Sequence, residues 1–383
     1  MLIEIKGVQF ENKGAELMLY SIVEQIHSRW PNAEICLRPR LKSPYLKRAS
    51  IGAYQKLHLA KGNIDLNTLA YWIPKKVKHY LKRVWGIVTE ADIDAVLDAS
   101  GFSYGDQWGP HCLDAIEKEV LRLKQHKKHY VFLPQALGPF DRNELQTKAS
   151  KVFTNACLVF AREQQSFEHV EKLSSGNVFI APDFTNLYSP EADASYRHLR
   201  GQVAIIINSK MVSDKNTNSY WREHYVNNIA QIMAALIEQG HKVFLLNHEG
   251  EKDQALCESL QAKIGEVDII SPDNANDVKG IIKQCSFVVS SRFHGCVSAL
   301  SSGVPCLATS WSHKYEQLYM EYQVSDYLLS EQHFEEPIAE LLAQFVLKLP
   351  QIRVQLQEQS QIYKTQSNEM WQKVEAQLTS LNL

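Results

Sequence analysis

FVVSSRFHGCVSALSSGVPCLA, residues 287–308, holds a complete strand–helix–strand repeat in one short stretch. Phe287, Val288 and Val289 are apolar, and with Ser290 they read as a strand buried on both faces. Ser291, Arg292, Phe293 and His294 form the turn. From Gly295 to Ser302 the side chains are small, which suits a helix lying close on a sheet, and 304–308 is the next strand. A helical crossover between two buried strands makes the pair parallel.

The alternation extends outward from this repeat. Strands are expected at 203–207, 242–246 and 267–270, and helices at 220–239, 252–264 and 276–284. Gly240 sits where a left-handed residue closes a last helical turn. An earlier block repeats the pattern, with strands at 2–8, 35–37, 93–97, 130–133, 158–160 and 178–180 and helices at 15–29 and 111–125. Between the blocks, YSPEADASYRHLRG (188–201) is polar, aperiodic and contains Pro, so it reads as a linker. The expected fold class is α/β with two Rossmann-like, doubly wound domains, residues 1–187 and 202–334. A helical tail, 335–383, is punctuated by Pro350 and packs back on both.

Composition fits this division. A chain of 383 residues is long enough for two compact domains of ~100–200 residues each. The formal net charge of −2 argues against a dedicated nucleic-acid binder. The start, MLIEIKGVQF, alternates as a strand does and does not read as a secretory leader. No apolar run approaches the ~20 residues that span a bilayer. Cys36, Cys112, Cys157, Cys257, Cys285, Cys296 and Cys306 are scattered with no C-x-x-C pair, which suits small buried residues in a reducing cytoplasm rather than a disulfide or zinc framework.

In open parallel sheets, ligands bind beyond the carboxyl ends of the strands. Five such loops stand out. The first, Gly7 to Glu16, carries Asn12 and Gly14 at a helix start, where Gly14 lets backbone N–H groups approach an anion; it matches neither a dinucleotide nor a P-loop fingerprint. Ser100–Asp106 and Gln135–Phe140 are rich in Gly, Ser and Pro and allow close backbone approach. Arg162 directly follows a strand, where a planar guanidinium could hold carboxylate or phosphate. The plain alternative is a surface salt bridge to Glu163 or Glu168. The fifth loop is the strongest. Arg292 and His294 are two apart, so in an extended loop they point the same way, a cation and a titratable imidazole at a helix N-terminus. Trp311-Ser312-His313-Lys314 follows the next strand and would place Lys314 at the same mouth.

These residues resemble the polysaccharide pyruvyl transferase family. The matching stretches are Asn12-Lys13-Gly14, Gln135-Ala136-Leu137-Gly138-Pro139-Phe140, Ala161-Arg162-Glu163 with Ser166, Ala181-Pro182-Asp183, Ser291-Arg292-Phe293-His294-Gly295, and Gly303-Val304-Pro305 followed by Lys314. Ala15 departs from the pattern, since many members carry Asp after the Gly. The resemblance implies a GT-B-like pair of Rossmann domains with the site in the cleft between them. It implies phosphoenolpyruvate as co-substrate, with no cofactor and no metal, and a sugar or lipid-linked oligosaccharide as acceptor. The product would be a pyruvate ketal, with phosphate released.

Carried over by position, Arg162, Arg292 and His294 are the catalytic set. Arg162, Arg292, Ser291, Gly295 and Lys314 bind the donor. Asn12, Gly14, Ser103 and Gln135 are acceptor or loop contacts. A donor with both a carboxylate and a phosphate needs at least two cationic anchors. Arg162 and Arg292 would supply them from opposite domains, with His294 as general acid or base. The competing functions are a GT-B glycosyltransferase using a nucleotide sugar and a non-catalytic scaffold for glycan assembly.

LAYWIPKKVKHYLKRVWGIV, residues 69–88, lies apart from these loops. It interleaves Lys and Arg with Trp and Tyr and contains no acid. That composition suits an anionic membrane surface, where a lipid-linked acceptor is found. The alternative is a solvated helical face with its aromatics in the core. The expected location is the cytoplasm, with peripheral contact at the inner face of the membrane.

Overall fold

The computed structural model of the chain describes residues 1–61, 64–214, 216–310 and 314–379. The chain divides into two compact units. The first comprises Met1–Phe10, Met18–Phe184 and the chain from Gln366 on; the second comprises Glu11–Leu17 and Thr185–Thr365.

In chain order the elements that build the first unit are β1 (Leu2–Lys6), α1 (Lys13–Arg29), β2 (Glu34–Leu37), α2 (Tyr45–Ser50), β3 (Tyr54–Lys56) and the small hairpin β4 (Ala60–Lys61) and β5 (Ile64–Asp65). There follow α3 (Lys75–Trp85), β6 (Ile87–Val88), β7 (Ala95–Asp98), α4 (Pro110–Gln125), β8 (His129–Gln135), α5 (Asn143–Asn155), β9 (Leu158–Ala161), α6 (Gln164–Glu171) and β10 (Val178–Ile180). Eight strands form one sheet in the order β10-β9-β8-β7-β1-β2-β3-β6, and every pair is parallel. The order reverses direction between β1 and β7. At that switch point the loops after both strands turn outward from the carboxyl edge. All four residues of β7 are buried, as a central parallel strand requires.

Two strands of this sheet lie outside the sequence expectation, β3 and β6, as do the hairpin β4–β5 and, in the second unit, the strand at Leu328–Leu329. Lys56 in β3 is 2% exposed. Its Nζ lies 2.6 Å from Glu4 Oε2 on β1 and 2.6 Å from Glu119 Oε1 on α4, and Lys6 also pairs with Glu119. A buried ionic cluster at the sheet interior breaks the apolar run that marks a strand in sequence.

The second unit contains β11 (Val203–Ile206), α7 (Ser219–Glu238), β12 (Val243–Leu246), α8 (Gly250–Ile264), β13 (Ile269–Ile270), α9 (Ala275–Gln284), β14 (Phe287–Ser290), α10 (Phe293–Ser301), β15 (Cys306–Thr309), α11 (Lys314–Glu321) and β16 (Leu328–Leu329). Its sheet runs β13-β12-β11-β14-β15-β16, all parallel. Counted from its own first strand this is 3-2-1-4-5-6, the Rossmann order, with the switch point between β11 and β14.

Residues 188–201, read from sequence as a linker, are held against α9. Tyr188 OH donates to Asn276 Oδ1 at 2.8 Å, and Asp193 N donates to Asp277 Oδ1 at 2.8 Å. The tail is one helix, α12 (Ile338–Thr379), with Pro350 inside it rather than ending it. Leu342 and Phe345 before Pro350 and Ile352 and Leu356 after it are buried in the second unit's core, and Trp371, Val374 and Leu378 are buried in the first unit. Burial on both sides of Pro350 outweighs the hydrogen bond that Pro removes. The cysteines are free; five are buried, Cys157 is half-buried, and Cys112, expected inside, is exposed near the start of α4. Among the described residues no helix is long and apolar enough to cross a membrane.

Candidate active site

In the second unit, α10 begins at Phe293, two residues earlier than the sequence suggests. Arg292 is therefore the N-cap, with an extended backbone, and His294 lies in the first helical turn. The two side chains do not share the extended loop expected from their spacing. Gly295 packs closely in that first turn: a methyl there would sit 2.6 Å from Ser290 Oγ.

Arg292 is 7% exposed and its guanidinium is fully engaged on α8. Nε and Nη2 grip Asp253 bidentately, at 2.9 Å to Oδ2 and 2.6 Å to Oδ1. Nη1 pairs with Glu249. Asp253 Oδ1 also accepts Ser209 N at 3.0 Å, in the loop after β11. Burial works against both charges of the pair, pushing Asp253 up to about 6 and Arg292 down to about 10. A two-point fork of this kind orients the arginine as well as neutralising it.

Glu249 is also reached from the first loop. Asn12 caps α1 through Oδ1, which accepts Ala15 N at 3.1 Å, and its Nδ2 donates to Glu249 Oε1 at 2.7 Å. Arg292 and Asn12, two residues singled out in sequence as ligand contacts, thus converge on one carboxylate of the protein. Two residues on, Gly14 faces His294. A methyl at position 14 would lie 2.7 Å from Cγ of the imidazole, so only glycine leaves room for the ring. The ring stands edge-on to Phe293, with centroids 5.6 Å apart and planes at 89°. Lys314 Nζ lies over the other end of this aromatic group, 4.7 Å from the Phe293 centroid. His248, buried beside Arg292, His294 and Lys13, is held well below the usual imidazole range, first by burial and then by these charges. It stays neutral at pH 7. Glu16 is fully buried and joins Lys13 to the start of α9, accepting from Lys13 Nζ at 3.1 Å and Ala275 N at 3.1 Å.

Ser291 is turned inward. Its Oγ accepts from Tyr225 OH at 2.7 Å and lies 2.7 Å from Thr309 Oγ1, while its carbonyl accepts Asn208 Nδ2 and Tyr315 OH, each at 2.9 Å. Trp311, Ser312 and His313, read in sequence beside Lys314, lie outside the described residues.

The first unit carries the other expected residues. Arg162 follows β9 and pairs with Asp183 at 3.6 Å. Neither Glu163 nor Glu168, its expected surface partners, takes that place: Glu163 pairs with Ser166, and Glu168 accepts Gln164 at 2.9 Å. Ser166 Oγ in turn accepts Leu137 N at 2.7 Å, which ties the Arg162 turn to the Gln135–Phe140 loop. Gln135 is buried, with Nε2 donating to Asp98 O at 3.1 Å. Ser103 Oγ donates to Ser100 O at 2.9 Å and braces the loop after β7. Asp98 anchors that loop, accepting Ser100 Oγ at 2.6 Å and Tyr104 OH at 2.8 Å. Burial, reinforced by Asp98, lifts both Tyr104 and Tyr130 well above the ordinary phenol value.

Glu249, Asp253, His248 and Asp183 are the residues sequence reading passed over. Asp183 lies in the quoted Ala181-Pro182-Asp183 stretch. For the others the available signal was position alone, in the loop and first turn after β12.

The two parallel sheets and their switch-point loops define a two-unit, Rossmann-like α/β protein of the GT-B class. Its overall fold is similar to a putative UDP-N-acetylglucosamine 2-epimerase from Listeria monocytogenes (TM-score 0.59, 10% identity, 99% of this chain and 96% of that one). It is also similar to the UDP-GlcNAc 2-epimerase from Neisseria meningitidis bound to UDP-GlcNAc (TM-score 0.59, 12% identity, 97% and 99%). Residues 12–313 match the family described as polysaccharide pyruvyl transferase, and the chain belongs to that family. A relative is the amylovoran biosynthesis protein AmsJ of Erwinia amylovora, 23% identical over 243 residues, 58% of this chain and 57% of that protein. The chain thus matches a little over half the length of this relative.

Proposed function

We propose that the protein transfers pyruvate from phosphoenolpyruvate to two hydroxyls of a sugar, in a surface polysaccharide or its precursor, forming a ketal and releasing phosphate. The observation that carries this reading is the convergence of Arg292 and Asn12 on the Glu249 carboxylate, beside His294. A rigid guanidinium held on Asp253, with one face turned to a carboxylate, is the arrangement a donor carboxylate needs. Arg162 is the second cationic anchor in this reading, and Lys314 stabilises the departing phosphate.

The reaction balances without an oxidant. The enol C3 gains a proton and becomes the methyl group. One sugar oxygen bonds to C2; the second displaces phosphate there. Of the two hydroxyl protons, one is balanced by the methyl group and one by the released phosphate. His294 serves one of these transfers as general acid or base. The protein acts in the cytoplasm, on a sugar or lipid-linked oligosaccharide.

Incubation with phosphoenolpyruvate and a panel of sugars and lipid-linked oligosaccharides is expected to release phosphate and add one pyruvate mass to the acceptor. Thermal stabilisation by nucleotide sugars but not by phosphoenolpyruvate would overturn the reading in favour of glycosyl transfer.

Glu249 competes with the donor in this scheme. Glu249→Gln keeps the shape and removes the charge, so KM for phosphoenolpyruvate is expected to fall by several-fold with kcat little changed. Steady-state phosphate release measures both; a KM that stays or rises would show that Glu249 does not stand in the donor's place.

A further inference from the structure

The basic aromatic stretch proves to be an amphipathic helix with its apolar side outward. On α3, Leu81 and the ion pairs Lys78–Asp92 (3.2 Å) and Lys82–Glu34 face the first unit. Val77, Val84 and Tyr80, on the arc beside Leu81, stay exposed at 46%, 58% and 57%, with Trp85 at 60% and Trp72, just before the helix, at 82%. An ordinary surface helix buries that arc. Trp72, Tyr80 and Trp85 are therefore not in the core, the alternative left open by the sequence, whereas Tyr71 is half-buried and stacks on His126.

The exposure is local. Of the twenty large hydrophobic residues that are exposed among those described, eleven fall between Leu41 and Trp85. Residues 38–88 carry twelve Lys or Arg and a single acid, Asp65, on a chain whose net charge is −2. Lys75, Lys76 and Arg83 are exposed on α3 and have no ion-pair partner among the described residues. Leu41, Tyr45 and Leu46, at 97%, 64% and 78% exposure, flank the exposed Lys47 at the start of α2. The crossovers β2–α2–β3 and β3–α3–β6 step the same way across the sheet, so right-handed connection places α2 and α3 on one face.

We infer that this face docks the protein on an anionic lipid bilayer, with Trp72, Trp85 and Tyr80 entering the headgroup layer and Lys75, Lys76 and Arg83 meeting the anionic lipids. Protein partners bury apolar residues in a centre depleted of lysine. Here Lys75, Lys76 and Arg83 are interleaved with Trp72, Tyr80 and Trp85, the arrangement of an interfacial helix. The inference does not depend on the pyruvyl-transfer reading.

The test is co-sedimentation of the full chain, without substrate, with vesicles of phosphatidylcholine containing about 30% phosphatidylglycerol, and with phosphatidylcholine alone. Binding is expected only to the anionic vesicles. Lys75→Gln/Lys76→Gln/Arg83→Gln is expected to weaken it on the order of a hundredfold. Trp72→Ser/Trp85→Ser, at exposed positions, is expected to weaken it as well, and brominated acyl chains to quench the parent's tryptophan fluorescence. Phosphate release with a water-soluble acceptor stays unchanged in both variants, so failure here and failure of the proposed reaction read out separately. Absence of binding, equal binding to neutral vesicles, or binding untouched by both variants overturns the inference. A dimer that Trp72→Ser/Trp85→Ser dissolves, in a protein that ignores vesicles, overturns it in favour of a second copy.

Discussion

His294→Ala is expected to lose about 10²–10⁴-fold in kcat for phosphate release, the usual yield of a positioned acid or base. The substitution removes the half-buried ring at the start of α10 that Gly14 is shaped to admit. The neighbouring imidazole offers no substitute. His248 is buried and neutral, and its depressed proton affinity makes it a poor acid near pH 7. Gly14→Ala supplies the companion measurement, because it displaces the His294 ring without changing its chemistry. It is expected to lower kcat by a smaller factor, with circular dichroism and melting temperature close to those of the parent. Normal phosphate release by purified His294→Ala, with the true acceptor, would remove the imidazole from the mechanism. Loss of activity together with a collapsed melting transition would point to packing instead.

The largest stability effect is expected at Lys56. Lys56→Met retains the length of the side chain and removes its charge, leaving Glu4 and Glu119 buried around an apolar group. Removing one partner of a buried ionic cluster costs roughly 3–5 kcal/mol, because the remaining charges have no solvent. Lys6 still pairs with Glu119 in the variant, so Glu4, 2% exposed, is the more penalised carboxylate. Burial already raises the Glu4 pKa above the ordinary carboxyl value, so in the variant it takes up a proton rather than stay charged. Urea unfolding at pH 7 measures the loss. Adding Glu4→Gln and Glu119→Gln to Lys56→Met is expected to recover a substantial part of it; equal instability of the single and triple variants would locate the cost in packing rather than charge.

The alternation of strands and helices was legible because parallel strands are buried on both faces and read as unbroken apolar runs. β11, β12 and β14 are of this kind. β3 was not legible, since Tyr54-Gln55-Lys56 keeps one apolar face at best and owes its place to an ion cluster assembled from distant segments, and β6 was not because it is only the pair Ile87–Val88. The site shows the same division. Arg162, Arg292 and His294 could be picked out because Arg162 follows a strand directly, Arg292 and His294 come within four residues of the end of another, and the resemblance named them. Their partners could not. Asp253 and Glu249 lie on an ordinary polar helix start, and only the folded chain brings them to Arg292. Gly14 was read as a place for a backbone amide to meet an anion; in the structure its missing side chain makes room for an imidazole more than 250 positions away in sequence.

The interleaving of the two units bears on recombination. Glu11–Leu17 counts with the second unit although its chain neighbours on both sides count with the first. A chimaera made by a single crossover near residue 185 would therefore import His294 from one parent and keep Gly14 from the other. Exchange of an intact second unit requires that the short segment travel with it. In homologues that differ at position 14, a graft that omits the segment would inherit a steric conflict at the imidazole.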